Sequence, residues 1–442
     1  MKKNLARKIT LSILASAVLM SSNVAWAAVT VAPTTSGQDG WSEVTVSNYS
    51  VWHTSGVEIQ FGTGISTDKN FASAFNSNGD ATGGKVTISG GTFVDDDDDD
   101  KDVYIYGGCV YGGNGYATGG EVTISGGTFN NIGVRGGYVV GSPGYASDNK
   151  VEISKVDENS TFGFISGGEA YGDNGNANNN RVTLSAKDAT YKRDIYGGYS
   201  DEGDATGNVV TISGGTFDGV SIYGGCSSGG DAEGNTVNIS GEADLSSAWL
   251  SGGYSASGTL SDNVLNVGVN DTLRSELAQK GITVEVGAWQ NNKVKSITGF
   301  DVINFYNLEW VNGKTIVETE EAQLSPTGTK INVYVASGNM NLNESMTLIK
   351  SVADITGKVH DDSKQSFEIF EGVDKVYEGQ ISQPDNKSII VKIVGEDEVP
   401  GDGGGTGGGA GDGTAGGEDG EGSTGGDAGG SAGTAHLGAA RV

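Results

Sequence analysis

Three sets of side chains in this 442-residue chain have types and spacings that could do chemistry. Asp80, Asp204 and Asp231 fall at equivalent points of a recurring phrase, with Arg181, Arg193 and Asp194 near them. Carboxylates on neighbouring segments with a cation beside them are what a polysaccharide lyase or hydrolase would need. The run Asp95–Asp100, followed by Lys101 and Asp102, offers hard oxygen ligands of the kind calcium takes. Cys109 and Cys226 are the only two cysteines, enough for one disulfide.

Each set also has an ordinary explanation. The position shared by Asp80, Asp204 and Asp231 is held by Tyr116, Tyr145, Asn176 and Thr259 in other units, as in a solvated turn, and only Asp204 and Asp231 fall in consecutive units. An EF-hand loop alternates its acids and turns on a glycine, which the aspartate run lacks. His53, His360 and His436 are scattered, with no metal or nucleophile spacing around them. The expectation is a chain with no catalytic residue, no metal site and no cofactor.

The elements that position these residues come from an internal repeat. The phrase GDATGNVVTISGGTFDGVSIYGGCS, at 203–227, recurs in variants, and the first glycine of its GG pair falls at 107, 136, 167, 197, 224 and 252, a spacing of 27–31 residues. Each unit carries two short alternating apolar segments rich in β-branched residues, separated by glycine turns, which predicts short strands. Aligned units place Val86, Val122, Val151, Val182, Val210, Val237 and Leu265 in one column. Ile88, Ile124, Ile153, Leu184, Ile212, Ile239 and Val267 form a second, and Ile105, Val134, Ile165, Ile195, Ile222 and Leu250 a third. A sandwich would not need its successive segments to match. A parallel β-solenoid (β-helix) does, because each coil lies ~4.8 Å above the last and pairs with it in register. The fold class predicted is all-β, a parallel β-helix of 27–31-residue coils with a strand-rich C-terminal cap and a glycine-rich tail.

The same alignment assigns further positions. Asn149, Asn180, Asn208, Asn235 and Asn263 precede the first strand of five consecutive coils, where left-handed backbone tolerance and rung-to-rung amide hydrogen bonds both favour asparagine. Ala81, Ala117, Ala146, Ala177, Ala205 and Ala232 form a small-residue column that would let the turn pack closely. Six residues separate Phe129 from Gly136, and six separate Phe217 from Gly224, but thirteen separate Phe93 from Gly107. The aspartate run is therefore an insertion at a strand-to-strand turn. Contiguous like charges keep such a loop solvated. Cys109 and Cys226 share a column with Tyr138, Glu169, Tyr199 and Tyr254, four coils apart, or about 19 Å at ~4.8 Å per coil. A disulfide needs α-carbons within about 7 Å, so no bridge is expected. If Ile222 points inward, Tyr223 points out, and its column reads Tyr106, Arg135, Ser166, Tyr196, Tyr223, Ser251. Tyr106, Arg135, Tyr196 and Tyr223 thus form a candidate ligand face for glycan or protein.

Composition and termini bound the setting. MKKNLARK, the apolar ITLSILASAVLMSS and Ala25-Trp26-Ala27 have the layout of a secretory signal peptide ending at residue 27. Removing its four cations takes the formal charge from −29 to −33, since −29 − 4 = −33. So acidic a chain disfavours nucleic acid and anionic membranes. No later stretch is apolar enough for a transmembrane helix. The expected organisation is a signal peptide (1–27), an N-terminal cap (28–70), the repeat solenoid (71–268), a less regular β-rich region (269–398) that caps its open end, and a glycine-rich acidic linker and tail (399–442).

Through the VTISGGTF and IYGGYS repeats, the GFDVINF segment and the terminal linker, the chain resembles the passenger segments of bacterial autotransporters, the type V secretion route. The resemblance implies an extended β-helix displayed at the surface of a Gram-negative-type bacterium, often as a non-catalytic adhesin. Its partners would be a glycan or protein of a host or neighbouring cell. It also implies an outer-membrane translocator barrel, which needs at least eight strands of about 9–11 residues that this sequence does not supply. The translocator is then either lost by truncation or encoded separately. A β-helix polysaccharide lyase or hydrolase and a passive surface-coat spacer are the alternatives.

Overall fold

The computed structural model describes residues 58–61, 66–67, 71–76, 79–95, 103–112, 114–360, 367–371 and 375–398. The expected signal peptide, the expected N-terminal cap apart from 58–61 and 66–67, the aspartate run from 96 onward, His53, His436 and the glycine-rich tail lie outside the described residues. The chain divides into two units, Met1–Val399 and Pro400–Val442, and the second lies wholly outside the described residues.

The first unit is a β-solenoid of about nine turns with about 29 residues per turn. One sheet, here the valine sheet, is a parallel stack in which Ile59, Val86, Val122, Val151, Val182, Val210, Val237, Leu265, Ile303 and Ile331 pair coil upon coil. A second, the glycine sheet, pairs Phe71, Ile105, Val134, Ile165, Ile195, Ile222, Leu250 and Ile297 in the same way. The predicted registers hold residue for residue. A single coil cannot cover its own apolar face, and identical side chains at the same point of the next coil hide it completely. A third wall of the core is an aromatic stack, Phe93, Phe129, Phe162, Tyr191 and Phe217, with successive ring centroids 5.0, 5.0, 5.7 and 4.6 Å apart.

The interior is divided. The valine, isoleucine and aromatic columns make the large core, while Ala74, Ala81, Ala117, Ala146, Ala170, Val110 and Val139 make a separate small one at the corner. Between them runs the asparagine column, fully buried. Asn149 Nδ2 donates to Asn180 Oδ1 (3.0 Å), and the same bond links Asn180 to Asn208, Asn208 to Asn235 and Asn235 to Asn263 (each 3.1 Å). Each Nδ2 also donates to the carbonyl of an alanine in the corner column, as Asn208 does to Ala177 (2.9 Å). The Oδ1 atoms of Asn180, Asn208, Asn235 and Asn263 each accept the backbone N–H of the preceding coil's asparagine, as from Asn180 to Asn208 (2.9 Å), and that of Asn149 accepts the Gly120 N–H (2.8 Å). The ladder ends on Asp301, whose Oδ2 accepts from the Asn263 N–H (3.1 Å).

One of the two reasons expected for these asparagines is corrected. The left-handed backbone position is the residue before each of them, held by Asp148, Asn179, Gly207, Gly234 and Asp262 with φ between 57° and 65°. Asn149 and its counterparts are selected for the amide alone. The GG pair follows from the same seam: a Cβ on Gly198 would lie 2.6 Å from Asn208 Cγ, and one on Gly225 would lie 2.5 Å from Asn235 Nδ2.

Beyond residue 268 the sequence period fades but the parallel stack continues. Leu265 pairs with Ile303 and Ile303 with Ile331, while the glycine sheet runs on through Asn292–Phe300, Thr315–Leu324 and Ser345–Ser351. The interruption is an excursion whose neck is closed by Val269 and Gly287, each donating its N–H to the other's carbonyl (2.8 and 2.9 Å). It carries a helix, Asp271–Gln279, capped by Asn270 Oδ1, which accepts the Leu273 N–H (2.9 Å). Leu273 and Leu277, four residues apart on one helical face, pack with Ile282 and Val284 on Val209 at the outside of the valine sheet. After Ser345–Ser351 the pairing turns antiparallel through Ser388–Glu398, Lys375–Asp385 and Phe367–Glu371, so the strand-rich cap at the end of the glycine sheet is these hairpins, and the earlier part of the region 269–398 expected to cap the solenoid instead continues it. Among the described residues no helix is long and apolar enough to cross a membrane.

Candidate functional site

The outer surface of the glycine sheet carries a continuous belt of aromatic rings. Each strand there reads as Ile-Tyr-Gly-Gly-Tyr-Ser or a variant, and the first glycine of the pair drops out of the strand register, so Tyr106 pairs with Arg135 and Gly108 with Gly137 while Gly107 and Gly136 are passed over. Skipping one residue puts side chains three apart on the same face. Two outward columns result: Tyr106, Arg135, Ser166, Tyr196, Tyr223, and Cys109, Tyr138, Glu169, Tyr199, Cys226, Tyr254. Tyr106 and Tyr138 lie 5.6 Å apart between centroids, Tyr138 and Tyr171 5.7 Å, Tyr171 and Tyr199 5.3 Å, and Tyr199 and Tyr196 5.4 Å. Tyr196 then stacks on Tyr223 at 5.1 Å with planes 7° apart, and Tyr223 meets Tyr254 at 6.3 Å. Contacts at such distances suit offset and edge-to-face aromatic packing.

Of the four residues expected to form a ligand face, all lie on this side of the solenoid, but they are not equally available. Tyr106 and Tyr223 are half-buried and Tyr196 is buried. Arg135 does not present a cation to solvent: it is 8% exposed, its guanidinium carbon sits 3.8 Å from the Tyr104 ring centroid and 4.6 Å from that of Tyr138, and its Nη1 donates to the Tyr106 hydroxyl (3.2 Å). Its Nε lies 2.8 Å from Oε2 of Glu169, which is wholly buried. The approach is off the N–H direction, so neither Glu169 oxygen has an aligned hydrogen bond. Burial raises the pKa of Glu169, offset in part by Arg135. Burial likewise raises Tyr106 and Tyr196, and pushes the thiols of Cys109 and Cys226 up to about 12. Both cysteines are free and buried, four coils apart in one register, as expected.

Tyr104, Phe164, Tyr138, Tyr171, Tyr199, Tyr254 and Glu169 also belong to the belt and were not singled out from sequence. The signal was present in the column shared by Cys109, Tyr138, Glu169, Tyr199 and Tyr254, but strict alternation would assign that column to the opposite face from Tyr223. Only the skipped glycine brings the two together.

The acidic candidates have structural partners. Asp231 N–H donates to Asp204 Oδ1 (3.0 Å), Thr259 N–H to Asp231 Oδ1 (2.7 Å), Asp204 N–H to Asn176 Oδ1 (2.9 Å) and Tyr116 N–H to Asp80 Oδ1 (3.0 Å). This is a second rung-to-rung ladder at the corner. Asp194 accepts from the Ser221 N–H (3.0 Å) and from the Tyr196 hydroxyl (3.3 Å). Arg181 opens a strand of the valine sheet, and Arg193 and Asp194 precede the glycine sheet, so the structure does not gather them around the aspartate pair. No group of three or more His, Cys, Asp or Glu side chains among the described residues could hold a metal ion. Of the aspartate run only Asp95 is described, and it binds the neighbouring coil: its N–H donates to the Asn130 carbonyl (3.1 Å) and its Oδ2 accepts from Asn131 Nδ2 (3.1 Å).

Comparison with protein-family models, with curated proteins and with solved structures gives no match to this chain.

Proposed function

We propose that this chain is an exported, surface-displayed β-solenoid of the autotransporter-passenger type, acting as a non-catalytic scaffold that binds a glycan or protein of a neighbouring or host cell. The observation that carries it is the tyrosine belt, in which rings from successive coils pack against one another on strands paired coil to coil. Tyrosine gives large contact area with few rotamers to immobilise, and the exposed Tyr254 with the half-buried Tyr138, Tyr199 and Tyr223 offers ring surface to a partner. Export is supported by the residue pattern of 1–27. The lyase or hydrolase alternative would rest on Asp204 and Asp231, one oxygen of each of which accepts a backbone N–H of the next coil.

The test uses the chain from Ala28 onward on arrays of polysaccharides and on intact cells, beside the variant Tyr199→Ser/Tyr223→Ser/Tyr254→Ser. Loss of about tenfold or more in binding, with an unchanged β-type circular dichroism spectrum, is expected for three anchors of this kind. Undiminished binding by the variant would remove the belt from the account. Absence of binding by the parent would favour a spacer, and release of shortened glycan an enzyme.

A further inference from the structure

Two tyrosines outside the valine sheet stand apart from the belt. Phe305 pairs with Val333 in register, so Tyr306 and Tyr334, one residue further on, fall at the same position of adjacent coils. Their rings stack with centroids 4.6 Å apart and planes 10° apart. Tyr306 is half-buried and anchored against the cluster of Val209, Leu273 and Leu277, whereas Tyr334 is 44% exposed. Neither ring has another aromatic stacked on it among the described residues. Parallel coils present like atoms to like atoms, which brings the ring carbons beside one hydroxyl close to those beside the other.

We propose that Tyr306 and Tyr334 form a site of oxidative modification, at which a one-electron oxidant couples the two rings into a dityrosine that ties successive coils together covalently. Each phenol loses one electron and one proton, giving two phenoxyl radicals with spin density on the carbons ortho to oxygen. One carbon–carbon bond forms between those ortho carbons, and the two hydrogens they carried move to the oxygens, restoring both phenols. With a peroxide as the final oxidant the sum is two tyrosines and one hydrogen peroxide giving one dityrosine and two waters. Tyr334 admits the oxidant, the protons pass to water, and the isolated stack gives a radical no further ring to move to. In the belt, by contrast, each radical has several neighbours.

The two rings lie in separate tryptic peptides, 296–314 and 331–350, each with a single tyrosine. The folded chain is treated with a haem peroxidase and limiting hydrogen peroxide, the monomer is isolated, and the digest is searched for these two peptides joined with the loss of two hydrogens. The joined pair is expected in the folded monomer at about tenfold or more its yield from urea-unfolded chain, reflecting held proximity. It should vanish in Tyr334→Phe, while dityrosine formed within the belt persists. A folded monomer without the joined pair, a yield no higher than from unfolded chain, or coupling of these tyrosines only between molecules would each overturn the proposal. None of these outcomes bears on ligand binding by the belt.

Discussion

The solenoid buries polar groups in two contrasting places: the asparagine ladder from Asn149 to Asn263 in the seam between its two cores, and the Arg135–Glu169 pair beneath the tyrosine belt. In the ladder the amides of Asn180, Asn208 and Asn235 each donate twice and accept twice, and the pattern repeats from coil to coil. The ion pair occurs once, is shielded by aromatic rings, and leaves both carboxylate oxygens without an aligned donor. A periodic, fully satisfied network specifies which residue faces which in the next coil, whereas a solitary buried pair must recover its desolvation from a single contact. The ladder sets register and the pair does not.

Removal of one ladder amide should therefore have the largest effect. Asn208→Ala leaves the Asn180 N–H and Nδ2 without their acceptor, and the Ala177 carbonyl without its donor. Each such group costs about 1–3 kcal/mol when buried and unpaired, so a loss of roughly 3–5 kcal/mol in unfolding free energy is expected by urea titration. A loss below about 1 kcal/mol would equate the ladder with ordinary turn asparagines.

A smaller effect is expected where amides stack outside the valine sheet. Asn238 Nδ2 donates to Thr211 Oγ1 (3.0 Å), and Asn266, Asn304 and Asn332 each donate to the amide oxygen of the coil before (2.7 Å). These outer amides have one such rung-to-rung donation each, rather than the two donations of the inner ladder. Asn266→Ala should cost about 1–2 kcal/mol. A cost equal to that of Asn208→Ala would show that stacking, not the count of satisfied groups, sets the energy.

The contrast also explains what the sequence discloses. The inner ladder, the valine and isoleucine columns and the separation of the two cysteines follow directly from a period of 27–31 residues, because inward positions tolerate little variation. The outer amides recur just as regularly, in TVNI, VLNV, VINF and KINV, yet an outward asparagine reads as a solvated residue. Asn238 and Asn266 are nevertheless buried, at 1% and 4% exposure. The helical excursion also hid the continuing stack, since it lengthens one coil to 38 residues between Leu265 and Ile303. At the candidate site, the side of the solenoid was legible from Tyr223. The burial of Arg135 was not, because it depends on Glu169, a residue one coil away and three positions along, which the skipped glycine turns to the same face.

The ion pair gives the smallest and most specific test, through pH. Burial raises the Glu169 pKa above the ordinary 4.5, so in the folded state this carboxyl holds its proton to higher pH than in the unfolded chain. Between those two values the folded state binds more protons, and stability falls as pH rises. This contribution is complete below the unfolded pKa and is lost as pH climbs through the folded one. Glu169→Gln removes the titration, while Tyr104 and Tyr138 still flank the guanidinium. The parent's margin of stability over the variant should therefore be greatest below pH 4.5 and narrow as pH rises towards neutrality. Parallel urea titrations across that range measure the margin directly. A margin that widens with pH would mean that the Arg135 guanidinium outweighs burial and holds Glu169 ionised, making the pair an attractive contact like the rungs of the ladder.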